Sequence, residues 1–204
     1  MFKFNTNPKV LITVTLILCY TISQAQLLDS MALANLPQMI TLEEANQNPD
    51  AVVKLVLRKQ KLKEFPKEIF TFKNLQYLDL SKNNFKYLPD SFNMLPNLQV
   101  LIVSKCGLEK LPAHIGDLKN LKHININQNN ITRIPYSFGL LEKLEYADVW
   151  SNDLEAYPES LKELKKLRWM DLRNILIPLD KQNELKQYLP HTIIEFSPPC
   201  KCSW

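Results

Sequence analysis

The amino-acid sequence predicts an α/β-type repeat solenoid with short helical caps at both ends. Three observations carry this. Leu75, Leu98, Leu121, Leu144 and Leu167 recur every 23 residues. Pro66, Pro89, Pro112, Pro135 and Pro158 recur with the same period. Each period also holds an alternating segment such as Leu78-Asp79-Leu80, closed by a polar residue such as Asn83. Independent columns with one period mark stacked units, none of which buries its apolar face alone.

Taken in order, residues 1–25 read as a signal peptide. Lys3 and Lys9 form a basic start, Val10 to Tyr20 an apolar stretch short for a bilayer, and Ser23-Gln24-Ala25 a small-residue cleavage site before Gln26. An uncleaved anchor is the competing reading. Lipoprotein processing at Cys19 is opposed by Leu18, where a small residue is needed. Residues 26–51 form an N-terminal cap: Thr41-Leu42-Glu43-Glu44 starts a short helix with a capping box and Asn48-Pro49 ends it, while 27–40 show no defined pattern. Six units beginning at Val52, Leu75, Leu98, Leu121, Leu144 and Leu167 fill 52–178. The pattern then drifts, with Pro178 three residues ahead of its column. A helix over 181–189 and an edge strand over Thr192–Phe196 make a C-terminal cap spanning 179–196, and 197–204 read as a flexible tail. In that tail Cys200 and Cys202 leave three outcomes open: a strained bridge, a soft metal, or pairing with another chain.

Within a unit, Leu75-Gln76-Tyr77-Leu78-Asp79-Leu80-Ser81-Lys82-Asn83-Asn84-Phe85 fits LxxLxLxxNxL and continues through Leu88-Pro89, Phe92 and Leu95. This pattern resembles the leucine-rich repeat family. Its LPxxIxxLxx half is similar to the 23-residue subtype of plant intracellular Ras-group-related leucine-rich repeat proteins and their animal scaffold relatives. It is similar too to small exported leucine-rich repeat proteins of Bacteroidota-type bacteria. The resemblance covers residues 41 to 196 and implies a curved solenoid, a horseshoe arc with a parallel β-sheet on its concave side and an irregular, 3-10-rich convex side, and no enzymatic activity. Strand alternation sends the leucines inward and Asp79 with its flanks outward. The column Gln60, Asn83, Cys106, Asn129, Asn152, Ile175 ends each strand. Its polar members are expected buried, hydrogen-bonding turn backbone of adjacent coils. Cys106 is thus a small residue in an asparagine slot, and Ile175 marks the array's end.

Composition narrows the function further. The chain has 204 residues, 46% hydrophobic and 23% charged, with a net charge of +4. Loss of Lys3 and Lys9 with the leader leaves 23 Lys and Arg against 21 Asp and Glu, or +2, too mild to argue for nucleic acid. Beyond the leader no stretch approaches a transmembrane helix. The three glycines, Gly107, Gly116 and Gly139, are too far apart for phosphate-cradling or nucleophile-elbow motifs. The histidines, His114, His123 and His191, are too scattered for a zinc helix. No cofactor, metal site or catalytic residue is expected.

Function is expected on the concave face. There the third position of successive units reads Lys54, Tyr77, Val100, His123, Tyr146, Trp169 and the fifth Val56, Asp79, Ile102, Asn125, Asp148, Asp171. The seventh reads Arg58, Ser81, Ser104, Asn127, Trp150, Arg173 and the eighth Lys59, Lys82, Lys105, Gln128, Ser151, Asn174. Exposed aromatics framed by charges have the composition of a binding hot spot. Tyr77, His123, Tyr146, Asp148, Trp150, Trp169, Asp171 and Arg173 are therefore the expected contacts for a protein partner. A glycan stacked on the indoles, with its hydroxyls held by Asp or Asn, is the alternative. Lys59, Lys82 and Lys105 form a basic stripe, either a solvated edge or a guide for an acidic partner. Asp148 and Asp171 invite comparison with paired catalytic carboxylates, but a shallow sheet and nearby Arg173 oppose catalysis. A monomer exported to periplasm, cell surface or medium is expected. Asn130-Ile131-Thr132 is a glycosylation sequon of consequence only in a eukaryotic secretory pathway.

Overall fold

The computed structural model describes residues 27–198. The leader and Cys200 and Cys202 lie outside the described residues. Seven strands form one parallel sheet in chain order: β1 Lys54–Val56, β2 Tyr77–Asp79, β3 Val100–Ile102, β4 His123–Asn125, β5 Tyr146–Asp148, β6 Trp169–Leu172 and β7 Ile193–Phe196. The first five are three residues long, since each unit must turn back within its period. Register follows the repeat from β1 to β6, pairing Lys54 with Tyr77, Tyr77 with Val100, and so on to Trp169. Prolines at a fixed place open the return path. Pro66, Pro135 and Pro158 directly precede 3-10 turns at Lys67–Thr71, Tyr136–Leu140 and Glu159–Glu163, where the missing N–H costs nothing.

The core is one continuous stack. Leu55, Leu78, Leu101, Ile124, Ala147 and Met170 lie on the inner face of the strands, all at or near zero exposure. Phe72, Leu95, Leu118, Leu141 and Leu164 meet them from the convex side. Phe65, Phe70 and Phe92 form an aromatic knot near the front, with centroids 5.1 to 6.1 Å apart.

Asparagines thread the turns. Asn83 donates to Leu57 O at 2.8 Å and Leu80 O at 2.7 Å and accepts from Leu62 N. Asn129 and Asn152 repeat this arrangement one unit apart. Cys106 keeps one part of it, its thiol donating to Leu80 O at 3.2 Å. Gln60 departs from the expectation: it is exposed and donates to Ile40 O in the N-terminal cap, because no coil precedes its unit. A second ladder, unread in the sequence, runs along the convex rim, where Asn97 and Asn120 each donate to a carbonyl of the unit before and Asn74 donates to Asp50 O of the N-terminal cap.

The caps close both ends. At the front, helix α1 (Ser30–Asn35) occupies the stretch that lacked a pattern, with Asp29 accepting from Ala32 N. Helix α2 (Leu42–Gln47) begins at Thr41, whose hydroxyl accepts from Glu44 N, while Glu44 reaches back to Ile40 N, one residue before the usual capping-box partner. Met39 bridges the open edge of β1. At the back, helix α3 (Leu179–Tyr188) follows Pro178, two residues earlier than the sequence pattern suggested, and β7 adds to β6.

Candidate functional site

The concave surface is built by strand alternation and by register. Third-position side chains form a row whose members stand one strand apart, about 4.8 Å. His123, Tyr146 and Trp169 are consecutive in this row, and Ile193 of β7 extends it. The His123 and Tyr146 rings stack at 4.7 Å with planes 11° apart. Tyr146 is 36% exposed and Ile193 64%. Trp169 and Trp150 are half-buried. Burial lowers the pKa of His123 below the usual imidazole value, against the pull of Glu145.

The fifth-position carboxylates have structural work. Asp79 accepts from Ser81 N, Asp148 from Trp150 N and Asp171 from Arg173 N, and Asn125 serves Asn127 N in the same way. Each satisfies a backbone N–H two residues on, where the strand turns away from its ladder. Asp79 keeps its place in this row but is buried. Asp148 also accepts from Asn125 at 3.0 Å and Asn127 at 2.6 Å. Burial raises its pKa, partly offset by the bonds from Asn127 and Trp150. Asp171 is 3% exposed and grips Arg173 through Nε and Nη2, the latter at 2.6 Å. Asp148 and Asp171 thus fix the strand ends and orient Trp150 and Arg173, leaving Arg173 as the exposed polar edge of the patch.

Of the expected contacts, the structure brings together His123, Tyr146 and Trp169, with Trp150 and Arg173 alongside in the seventh-position row. Tyr77 stands apart, two strands from His123 with Val100 between. It is half-buried, with the Lys54 ammonium 5.2 Å from its ring centre. Lys54 in turn caps α1 through Ala34 O at 2.8 Å. Leu28, just ahead of α1, is held by Gln76 and Gln99 at the N-terminal ends of β2 and β3. The N-terminal segment therefore lies against the front of the face.

Ile193 was missed in the sequence because it falls 24 residues after Trp169, one off the period. Among the described residues no cluster of His, Cys, Asp or Glu is arranged to hold a metal. An open groove of about 550 Å³ lies between the turns of the first two units, lined by Phe65, Phe85 and Tyr87 and by none of the aromatic row.

The family profile described as leucine rich repeat matches residues 50–108 and 96–154. A leucine-rich repeat protein of Leptospira interrogans superposes with a TM-score of 0.67 at 29% identity, over 78% of this chain and 46% of that one. The chain thus spans under half the length of that protein. A plant peptide hormone receptor, RGFR1, solved in complex with RGF2, superposes with a TM-score of 0.52 at 28% identity, over 60% of this chain and 20% of the receptor. Among curated proteins none matches in sequence.

Proposed function

The chain belongs to the leucine-rich repeat family, generally a non-enzymatic binding scaffold, and from that premise we propose that it binds a protein partner through the concave face of its last three units. The fold is one typical of protein–protein interaction modules. The observation that carries the reading is the in-register row of His123, Tyr146, Trp169 and Ile193, flanked by Trp150 and Arg173. Rigid aromatic side chains on a sheet lose little entropy on binding, and such anchors dominate interface energetics. A glycan reading is not favoured: the acids that would hold hydroxyls already serve backbone N–H groups, asparagines and Arg173.

Capture from an envelope extract of cells that make the protein tests this. The wild-type chain retains a partner, and the Trp150→Ala, Trp169→Ala double variant loses it with its melting temperature nearly unchanged. Equal capture by both would place the contact elsewhere. Export belongs to the same proposal and rests on the leader-like residues 1–25. N-terminal sequencing of protein recovered outside the cytoplasm is expected to begin at Gln26; a sequence beginning at Met1 would contradict cleavage.

A further inference from the structure

We propose that Arg58, Lys59, Lys82 and Lys105 form a second contact site, one that takes a short acidic segment of polypeptide. The inference rests on the reading that the chain binds a protein, and it names the chemistry of part of that partner.

The geometry is regular. The parallel ladder continues past the strands into the eighth position: Lys59 N donates to Ser81 O, Lys82 N to Ser104 O and Lys105 N to Asn127 O, at 2.8 to 3.1 Å. The three lysines therefore stem from backbone held one strand apart, so the row is about 10 Å long. Arg58 stands beside the first of them. Arg58, Lys59 and Lys105 are exposed and Lys82 partly so. Among the described residues none of the four makes an ion pair, although Lys86, Lys119, Lys162 and Lys181 each do elsewhere. The nearby acid, Asp79, is buried and engaged with Ser81 N.

Two features make this row unfavourable for the isolated fold. Lys59, Lys82 and Lys105 all have left-handed backbone, with φ of 59, 58 and 55°. The turn belongs to every unit, since Gln128, Ser151 and Asn174 share it at 53 to 57°, and asparagine or glycine suits it better than the lysine that fills it in the first three. The cations also repel one another: Arg58 and Lys59, with Lys105, push the Lys82 ammonium below its usual pKa. Uncompensated like charge gathered at one surface, on positions that asparagine would fill more easily, is the mark of a binding site.

The shape of the charge selects the ligand. After three rungs the row turns neutral, continuing as Gln128, Ser151 and Asn174. A uniformly charged polysaccharide would gain nothing beyond the third rung. An extended peptide rises about 3.3 Å per residue, so three or four residues match the basic stretch. The remainder of the peptide then runs on past the amide and hydroxyl side chains of Gln128, Ser151 and Asn174. Over β1–β3 the N-terminal ends of the strands are occupied by Leu28 and α1, which leaves this edge as the open one.

The test uses fluorescein-labelled octaglutamate and fluorescence anisotropy at low salt with the full chain. Wild type binds it, and binding weakens steeply as salt is added. The Lys59→Asn, Lys82→Asn, Lys105→Asn variant binds at least tenfold more weakly, while its melting temperature stays equal or rises because asparagine relieves the backbone. A charge-matched control, Lys110→Asn, Lys165→Asn, Lys166→Asn, stays within threefold of wild type. No octaglutamate binding, equal weakening in the control, or binding of a sulfated hexasaccharide without octaglutamate would overturn the site. The Trp150→Ala, Trp169→Ala variant keeps octaglutamate binding, so failure of this site and failure of the aromatic face are read separately.

Discussion

Cys106 shows how much a single side chain does in a repeat. In the neighbouring units an asparagine at this place offers both an amide donor and a carbonyl acceptor; Asn83, for example, accepts from Leu62 N. The thiol supplies only the donor, to Leu80 O. The backbone N–H of Phe85, which corresponds to that of Leu62, is left with no partner among the described residues. Cys106→Asn is therefore expected to stabilise the fold by about 1 kcal/mol, while Asn129→Ala, which removes both functions, costs about 3 kcal/mol. Urea midpoints of the two variants check the pair of signs. His123 gives a second residue-scale prediction. Burial keeps its pKa below the usual imidazole value, so the folded state disfavours the protonated ring. The stability this confers is fully present above the usual value and is lost as pH falls through the lowered folded one. Denaturation followed between about pH 7 and pH 5 should show stability falling, with less slope in His123→Phe; an unchanged slope would assign the loss to other groups. The Asp148 carboxyl, raised by burial, acts with opposite sign: its contribution is fully present below the usual carboxylate value and is lost as pH rises through the raised one.

Between elements the tightest constraint lies on the convex side, where consecutive 3-10 turns pack backbone against side chain. A methyl added at Gly139 would stand 2.2 Å from Ser160 O, and one added at Gly116 2.1 Å from Ser137 O. Both glycines thus permit close approach rather than an unusual φ. Gly139→Ala is expected to destabilise by about 2 kcal/mol through forced separation of the turns at Tyr136–Leu140 and Glu159–Glu163. Calorimetry showing an unchanged melting temperature would mean that the turns yield easily. These contacts were not legible in the sequence, because two glycines at one place in a unit look like turn residues until the next coil is laid against them. The strands, by contrast, were legible. Leu78-Asp79-Leu80 and its counterparts carry both the period of two and the period of 23, and each confirms the other. The site was legible only by column. The rows placed His123, Tyr146 and Trp169 together, but they could not reveal that Asp148 and Asp171 are committed to backbone N–H groups. Nor could they place α1 beside Tyr77, since Ser30–Asn35 lies outside any repeat.

Across the whole molecule, one sheet and one core join elements that touch only their neighbours. The two proposed contacts sit at opposite ends of this array: the basic edge at β1–β3 and the aromatic row at β4–β7. Stability in such an array is close to a sum of unit terms and interface terms, so a lesion at one end should stay there. Leu185 of α3 is buried at 1% exposure in the C-terminal cap. Leu185→Ala should cost about 2 to 5 kcal/mol locally. It loosens α3 first, then β7, then the support beneath Trp169. Amide hydrogen exchange is expected to quicken at least tenfold in Trp169–Leu172 and Ile193–Phe196 while Tyr77–Asp79 keeps its protection. Octaglutamate binding at the front edge should then survive a change that weakens partner capture at the back. Uniform acceleration through all seven strands would instead show a single cooperative unit, in which the two contacts cannot be tuned apart.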